Sequence, residues 1–313
     1  MSKIKDGVIG HAIGDAIGVP VEFRSRTYLD RNPVSGMTGN GVHNQPIGTW
    51  SDDTSLEVCL MESICDKGVI DYTDIMSKFT EWLYYNKYTA TGKTFDCGIT
   101  TRLAINKWLE GNRPFNCGGS DIKSNGNGSL MRILPVAFIV NTLDLDSTET
   151  YKLVLNVSSL THSHEISVLG CYIYVNYINF ILKGLTKEEA YYTIQNIDYS
   201  FFSKDALKEY SRILNKSIDK CSRLFIKSTG YVVHSLEATL WCILNNDDYS
   251  DTVLKAVNLG DDTDTIGAIT GSIAGILYGM NNIPIGWRHS LKKRKYLEDL
   301  SDRFESTIKT LKK

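Results

Sequence analysis

Two apolar segments, one near each end of the chain, carry a glycine at every fourth residue. These glycines are Gly10, Gly14 and Gly18 in the first segment, and Gly267, Gly271, Gly275 and Gly279 in the second. Residues four apart lie on one face of an α-helix. Each glycine costs a helix about 1 kcal/mol relative to alanine. A glycine stripe therefore indicates that another backbone approaches closely, and the two striped segments are candidate partners for each other.

Helical periodicity accounts for most of the remaining chain. Apolar residues recur at three- and four-residue spacing in long stretches such as 72–85, 166–182 and 232–244, and this spacing is typical of amphipathic or buried helices. Few segments alternate at period two, and no Ser/Pro-rich linker or fixed-length repeat interrupts the pattern. The sequence predicts an all-α fold, with one compact domain of about a dozen helices over residues 1–313.

Charge and cysteine content exclude several classes of protein. The chain has 34 basic and 36 acidic residues, so a main role in binding nucleic acid or an anionic membrane is not expected. Its 7 cysteines include no Cys-x-x-Cys pair, which argues against a zinc site or disulfide framework and favours the cytoplasm. The apolar run 266–280 is shorter than the ~20 residues that a membrane span needs. We expect a cytoplasmic monomer without a membrane segment.

Two segments rich in carboxylates and hydroxyls stand at predicted helix starts. They read Ser51-Asp52-Asp53 and Asp262-Thr263-Asp264-Thr265. Helix capping explains one side-chain oxygen at such a position, but clustered carboxylates repel one another unless a cation lies among them. If the fold brings the segments together, their oxygen-only donor set suits two divalent ions, Mg²⁺ or Mn²⁺ rather than zinc. Both segments would then place metal ligands at helix N-termini.

Four further positions have a structural and a functional interpretation. The loop from Asn125 to Ser129 precedes a helix and has neither Walker A nor Rossmann spacing, so it is either a flexible turn or an anion-binding loop. Glu22 lies between Val21 and Phe23 and is either turned outward or functional. Hydrogen bonding at a helix start suits His162 better than metal ligation, and packing suits Tyr231. These residues together predict a metal-dependent hydrolase with a nucleotide-like substrate.

The combination of motifs resembles the ADP-ribosylglycohydrolase family. The resemblance covers residues 4–279, in the family's order, and is carried by Gly14-Asp15-Ala16-Ile17-Gly18 with Glu22, Gly48-Thr49-Trp50-Ser51-Asp52-Asp53-Thr54, Asn125-Gly126-Asn127-Gly128-Ser129-Leu130-Met131-Arg132 and Leu259-Gly260-Asp261-Asp262-Thr263-Asp264-Thr265. Each motif is short, but their combination is specific. Two departures stand out: Ser51 replaces the more usual Thr, and Asp261 replaces Gly. We expect Asp261 either to point away from the metal site or to contact the metal ligands without binding the metal itself.

The resemblance implies an all-α fold, a dinuclear Mg²⁺ or Mn²⁺ site and a set of functional residues. The implied metal ligands are Ser51, Asp52, Asp53, Asp262, Asp264 and Thr265. The implied catalytic carboxylates are Glu22, Asp52 and Asp53, one of which would activate a water that attacks the anomeric carbon of the distal ribose. The implied substrate-binding residues are Gly126, Asn127, Gly128 and Ser129 at the diphosphate, His162 nearby, Tyr231 on the adenine and Asp96 facing the substrate.

The implied reaction is hydrolysis of the N- or O-glycosidic bond between ADP-ribose and an acceptor. The implied partner is an ADP-ribosylated protein, with arginine as the favoured acceptor, or a small ADP-ribosyl conjugate. Two alternatives remain: a dinuclear phosphohydrolase that cleaves the diphosphate, and a non-catalytic ADP-ribose-binding or structural protein. The second alternative predicts lost metal ligands, whereas this chain retains all six positions.

Overall fold

A computed structural model describes residues 2–215 and 218–311. Within these ranges the chain is all-α and forms no β-sheet. The α-helices, numbered in chain order, are α1 Lys3–Gly18, α2 Arg26–Arg31, α3 Asp52–Lys67, α4 Tyr72–Tyr85, α5 Ile99–Leu109, α6 Leu134–Leu143, α7 Ser147–Ser159, α8 Glu165–Leu182, α9 Lys187–Ile194, α10 Lys204–Glu209, α11 Ser211–Leu214, α12 Val232–Leu244, α13 Tyr249–Val257, α14 Thr263–Tyr278, α15 Ile285–Ser290 and α16 Arg294–Ile308.

The two glycine-striped helices, α1 and α14, pack directly against each other, as the sequence predicted. A Cβ atom added at Gly14 would lie 2.0 Å from the Gly267 carbonyl oxygen, and one added at Gly271 would lie 2.3 Å from the Gly10 carbonyl oxygen. Real Cβ atoms do not approach so closely, so only glycine permits this backbone separation. Gly279 is the exception in the stripe, because it lies after the end of α14 with φ +80°.

The other helices surround this pair. Helices α12 and α13 pack on α14, and α16 packs on both α1 and α3. Helix α8 packs against α6, α7, α9 and α12. It has the length and hydropathy of a membrane span, but 83% of it is buried inside the protein. Helix α8 is therefore a core helix of this fold.

Several helix boundaries differ from those that periodicity predicts. The segment 27–49 is rich in Gly, Pro and Asn and lacks periodicity, which predicts a loop, but its start belongs to α2, which Ser25 caps. The sequence predicts a turn at 283–287, but this segment runs into α15. The amphipathic pattern over 204–217 predicts one helix, whereas the structure has α10 and α11 there, with residues 216–217 outside the described ranges. Pro135 does not kink a helix. It occupies the first turn of α6, where its missing N–H has no intrahelical partner to lose.

Candidate active site

The N-termini of α3 and α14 bring the two acidic segments to one buried cluster. Ser51 is the N-cap residue of α3, and Asp262 occupies the same position in α14. One carboxylate oxygen each from Asp15, Asp53 and Asp264 lie within 4.8 Å of one another, and all three residues are buried. The two segments, which are about 200 residues apart in the sequence, therefore meet as predicted.

A second group of carboxylates overlaps the first. Oxygens of Glu22, Asp262 and Asp264 also lie within 4.8 Å of one another, so Asp264 belongs to both groups. Asp52 and Thr265 line the adjoining cavity. The residues expected to ligate metal, together with Glu22, thus lie in the carboxylate cluster or in the wall of the adjoining cavity.

Asp15 is a member of the cluster for which no role was predicted from the sequence. Its carboxylate accepts hydrogen bonds from the backbone N–H of Ser51 at 2.9 Å and from the Thr54 hydroxyl at 2.6 Å. These bonds fix the first turn of α3 against α1. A lone aspartate in an otherwise apolar helical segment was the available signal for this residue, because burying a carboxylate requires compensating partners.

The oxygen donors of the cluster fit a divalent cation. The Ser51 hydroxyl donates to Asp53 Oδ2 at 2.9 Å, and Asp53 Oδ1 is buried without a hydrogen-bond partner. Buried carboxylate oxygens are normally paired. An unpaired oxygen among several other carboxylates is the arrangement expected where a hard cation supplies the missing charge.

Burial raises the pKa of the carboxyl groups in this cluster, and repulsion between neighbouring carboxylates adds to the effect at most of them. Burial raises the pKa of Asp15 to about 7, although hydrogen bonds from Thr54 and Ser51 oppose the change. Burial also raises the pKa of Glu22 to about 7, opposed by its hydrogen bond to His43 and reinforced by Asp96 and Asp262. The pKa values of Asp52, Asp53 and Asp264 are raised well above the usual range by burial and by neighbouring carboxylates. Without a cation, the cluster therefore retains protons.

Glu22 and Asp96 line the cavity together with the exposed Phe23, and the part of the cavity next to Phe23 is called its mouth. The His43 Nε2 atom is hydrogen-bonded to the Glu22 carboxylate, and one ligand atom each from Glu22, His43 and Asp96 lie within 4.8 Å of one another. The His43 ring lies 5.3 Å from the ring of Phe95 and 6.2 Å from that of the exposed Phe23. Sequence reasoning missed His43, since nothing in an irregular loop indicates which side chain will reach Glu22.

The Gly/Asn loop and His162 form another part of the cavity lining. Gly126, Asn127, Gly128 and His162 line a volume of about 410 Å³. The Asn127 side-chain amide donates to Asp262 Oδ2 at 2.7 Å, so this loop also orients an acidic residue of the cluster. This contact between the loop and the cluster was not anticipated from the sequence.

Two of the predicted substrate-binding residues lie beside the cavity, where their side chains have other partners. The Ser129 hydroxyl is buried and accepts a hydrogen bond from Ser158 at 2.9 Å. Tyr231 forms an isolated β-bridge with Gly126, and its hydroxyl donates to Glu209 at 2.9 Å. The residue next to it, Gly230, lines the cavity.

Asp261 is directed away from the cluster, as expected. Its side chain is exposed, and its backbone has φ +59°. Its carbonyl accepts from Phe23 N–H at 2.7 Å, and its own N–H donates to the Arg24 carbonyl at 2.8 Å. This pair of backbone bonds connects the segment that carries Glu22 to the segment that carries Asp262.

Comparison with known proteins gives consistent matches over nearly the whole chain. The family model described as ADP-ribosylglycohydrolase matches residues 1–312. The ADP-ribosylarginine hydrolase Tri1 of Pseudomonas putida (strain GB-1) is 32% identical over 302 residues, which cover 96% of this chain and 77% of that protein. The ADP-ribosyl-[dinitrogen reductase] glycohydrolase of Rhodospirillum rubrum is 28% identical, with coverage of 90% and 88%.

A solved structure shows the same architecture. The structure titled ADP-ribosylglycohydrolase-related protein complex superposes with a TM-score of 0.81 at 27% identity and covers 97% of each chain. The likeness therefore includes all the elements that position the acidic cluster and the cavity.

Proposed function

The chain belongs to the ADP-ribosylglycohydrolase family and is an ADP-ribosyl hydrolase, and we propose that it cleaves the glycosidic bond between ADP-ribose and the guanidinium group of an arginine side chain. The observation that carries this proposal is that one cavity of about 410 Å³ is lined both by Glu22, Asp52 and Asp262 and by Gly126, Gly128 and His162. The volume is in the range of small-molecule sites. The carboxylates suit a reacting sugar, and the glycine loop with His162 suits a diphosphate.

Arginine as the acceptor is supported by the charge at the cavity mouth. Glu22 and Asp96 both face this mouth, and neither has a Lys or Arg partner within salt-bridge distance among residues 2–215 and 218–311. The exposed Phe23 ring stands beside them. Carboxylates bind a planar guanidinium through several hydrogen bonds, and an aromatic face attracts it. The relatives named for ADP-ribosylarginine hydrolysis support the same choice.

The residues that would hold two Mg²⁺ or Mn²⁺ ions are Ser51, Asp52, Asp53, Asp262, Asp264 and Thr265. The carboxylates of Asp15 and Glu22 lie next to them. Their donors are all oxygen, and the buried Asp53 Oδ1 has no other partner. Bound divalent ions supply positive charge that polarises substrate oxygens and lowers the pKa of water.

The protein's own groups position the reaction at the anomeric carbon of the distal ribose. Water adds to this carbon and releases a proton, while the carbon–nitrogen bond breaks through an oxocarbenium-like transition state and the guanidine leaves with the bonding electron pair and takes up a proton. Glu22 has the pKa of about 7 that suits a group transferring a proton at neutral pH. His43 holds its carboxyl group at the mouth, where it can protonate the departing nitrogen. The products are ADP-ribose and unmodified arginine.

A hydrolysis panel tests the proposal. Peptides carrying ADP-ribosylarginine or ADP-ribosylserine are incubated with Mg²⁺, with Mn²⁺ and with EDTA, and the products are identified by mass. We expect free ADP-ribose from the arginine peptide and its loss in EDTA. AMP and ribose phosphate would instead indicate cleavage of the diphosphate. Release from the serine peptide alone would overturn the arginine assignment.

Two adjacent aspartates provide a matched pair of variants for this panel. Asp262→Asn removes a carboxylate of the cluster, whereas Asp261→Asn changes an exposed side chain one residue earlier. We expect the Asp262→Asn variant to lose activity by about a hundredfold or more, as removal of one electrostatic catalytic group does. Asp261→Asn should retain activity within about twofold. Full activity of Asp262→Asn would overturn the assigned cluster.

A further inference from the structure

Arg132 is a buried cation without a carboxylate partner. Its side chain is fully buried, and its guanidinium lies 5.0 Å from the centre of the Phe79 ring. No carboxylate pairs with it within residues 2–215 and 218–311, and its Nε and Nη1 atoms have no hydrogen-bond partner. Burying an unpaired charge costs several kcal/mol. The remaining nitrogen, Nη2, donates to the Val157 carbonyl oxygen at 3.0 Å and to the Thr161 hydroxyl at 2.8 Å, so few contacts offset this cost.

The third nitrogen of Arg132 begins a hydrogen-bond relay that ends at His162. Arg132 Nη2 donates to the Thr161 hydroxyl at 2.8 Å, and that hydroxyl lies 2.9 Å from His162 Nδ1. A guanidinium only donates, so the Thr161 oxygen is an acceptor in the first bond. Within the described part of the chain, His162 Nδ1 is the one acceptor that the structure gives to the buried Thr161 O–H.

The direction of this relay fixes the position of the proton on His162. Donation from the Thr161 O–H to Nδ1 is the arrangement that satisfies both contacts of the hydroxyl, and it leaves Nδ1 without a proton. Burial and the neighbouring Arg132 charge lower the pKa of His162 to about 3, so the ring is neutral at physiological pH. A neutral imidazole with an unprotonated Nδ1 carries its proton on Nε2.

The Nε2 edge of His162 faces the Gly/Asn loop and the cavity. A Cβ atom added at Gly128 would lie 2.7 Å from His162 Cε1 and 3.3 Å from Nε2, and one added at Gly126 would lie 3.5 Å from Nε2. Side chains at these two positions would cover this edge of the ring. The two glycines therefore leave the Nε2–H group open to a ligand in the cavity that His162 lines.

A second unused donor lies next to this group. The Thr101 hydroxyl is buried without a hydrogen-bond partner and is 3.0 Å from the position of a Cβ atom at Gly128. Thr101 lies in the first turn of α5, whose N-cap residue Gly98 makes no side-chain cap. Backbone N–H groups at such a helix start attract anions. The donors around Gly128 therefore suit a phosphoryl oxygen.

We propose that Arg132 and Thr161 are positioning residues that hold His162 as the neutral Nε2–H tautomer, so that it donates a hydrogen bond to a diphosphate oxygen of the substrate. This inference deepens the proposed function and rests on ADP-ribose as the ligand of the cavity. The role is in binding, because a fixed donor to a non-reacting group stabilises substrate and transition state alike. Loss of the relay should therefore raise KM and leave kcat nearly unchanged.

The tautomer is measured directly by ¹⁵N NMR on ligand-free protein labelled at histidine. His162→Gln identifies the His162 signals by their absence. We expect wild-type His162 to show a protonated Nε2 and an unprotonated Nδ1. Thr161→Val removes the hydroxyl at nearly constant volume and should populate the Nδ1–H form, whereas Thr161→Ser should restore the wild-type pattern. An Nδ1–H ring in the wild type would overturn the proposal.

Binding and kinetics complete the test. With ADP-ribose as the probe in calorimetry, Thr161→Val should weaken binding by about tenfold, the effect of losing one hydrogen bond to a charged group. KM should rise by a similar factor. Thr252→Val is the matched control, because this buried threonine in α13 interacts with Asp248 and Tyr278 and does not line the cavity. An unchanged tautomer together with unchanged ADP-ribose affinity in Thr161→Val would also overturn the relay.

Failure of this inference and failure of the proposed function are distinguishable. The NMR experiment contains no substrate, and calorimetry uses ADP-ribose without an acceptor. A protein that binds ADP-ribose with an Nε2–H histidine but does not cleave the arginine peptide would overturn the proposed acceptor alone. Circular dichroism on Thr161→Ser and Thr161→Val shows whether each variant is folded.

Discussion

At the scale of single residues, Asp261 shows how a strained position connects two functional segments. Its φ of +59° lies in the left-handed region, where aspartate is tolerated and β-branched residues are not. Its two backbone bonds, to Phe23 and Arg24, require that conformation. The glycine that the family resemblance implies at this position would satisfy the same backbone requirement without a side chain.

Substitution of Asp261 should therefore act through the backbone. Asp261→Gly should change the free energy of unfolding by less than about 1 kcal/mol, because strain relief opposes the greater entropy of the unfolded glycine chain. Asp261→Val should lower it by about 2 kcal/mol, since a β-branched residue is strained at this φ. Urea unfolding measures both. Equal stability of the Gly and Val variants would contradict the assigned conformation.

The buried side chains of His11 and Glu57 are in contact, and their charge state determines what this contact contributes to stability. His11 Nε2 and Glu57 Oε2 are 3.2 Å apart with almost no solvent exposure. Burial raises the pKa of Glu57 well above its usual range and lowers the pKa of His11 to about 3. Both shifts favour the neutral forms, and we therefore predict a pair of uncharged groups rather than an ion pair.

Glu57→Gln should consequently be tolerated. A glutamine has the shape of a protonated glutamate, so we expect the free energy of unfolding to change by less than about 1 kcal/mol at neutral pH. Breaking a buried ion pair would instead cost about 3–5 kcal/mol. Thermal and urea unfolding distinguish the two outcomes, and a loss in the larger range would show that the pair is charged.

At the scale of elements, the pairing of α1 with α14 positions the acidic cluster. Asp15 lies on α1, and Asp264 lies in the first turn of α14, so the separation of these two helices sets the separation of their carboxylates. Gly18 is packed directly on the Asp264 backbone, where an added Cβ would lie 2.3 Å from Cα. The glycine stripe therefore supports both the packing and the site.

Gly271→Ala tests this coupling. Its Cβ would collide with the Gly10 carbonyl oxygen, and the helices would have to separate. We expect the free energy of unfolding to fall by about 1–3 kcal/mol, as overpacking of a core does, with weaker binding of Mg²⁺ or Mn²⁺. Gly286→Ala in α15 is the control, since an added Cβ meets no atom within 4 Å there. Equal stability of the two variants would contradict the close packing.

The length of a helix decides whether the sequence could predict it. Periodicity located α1, α4, α8 and α12 almost to the residue because each is long and strongly apolar on its buried side. It missed α2 and α15, which are only 6 residues each and are held by capping and tertiary contacts. Short helices have no complete period to detect, so their existence follows from the assembled fold.

The candidate site was predictable to a similar degree. The acidic segments were visible because carboxylates at a helix start exceed what capping requires, and the structure brings them together. His43, Thr101 and the orientation of Ser129 were not visible, because each depends on which distant segment lies opposite. Asn127 illustrates the limit: its loop was identified, but its bond to Asp262 connects residues 135 positions apart.

At the scale of the whole molecule, the fold concentrates carboxyl groups whose protonation opposes metal binding. Asp15 and Glu22 have pKa values of about 7, and those of Asp52, Asp53 and Asp264 are raised well above the usual range. In the unfolded chain such groups titrate near pH 4. From about pH 4 to about pH 7, and above it, the folded metal-free protein therefore binds more protons than the unfolded chain. Its stability must fall as the pH rises through that window.

Divalent ions should reverse this trend, because they replace the protons and bind better once the carboxyl groups are ionised. The stabilisation conferred by Mg²⁺ or Mn²⁺ should grow from about pH 5.5 to about pH 8.5, reaching about 2.7 kcal/mol when the free ion is at about a hundred times its Kd. Thermal unfolding with the ion and with EDTA across this range measures the difference. Asp264→Asn should abolish most of the gain, whereas Asp261→Asn should preserve it. A stabilisation independent of pH would show that the clustered carboxyl groups are not the ligands.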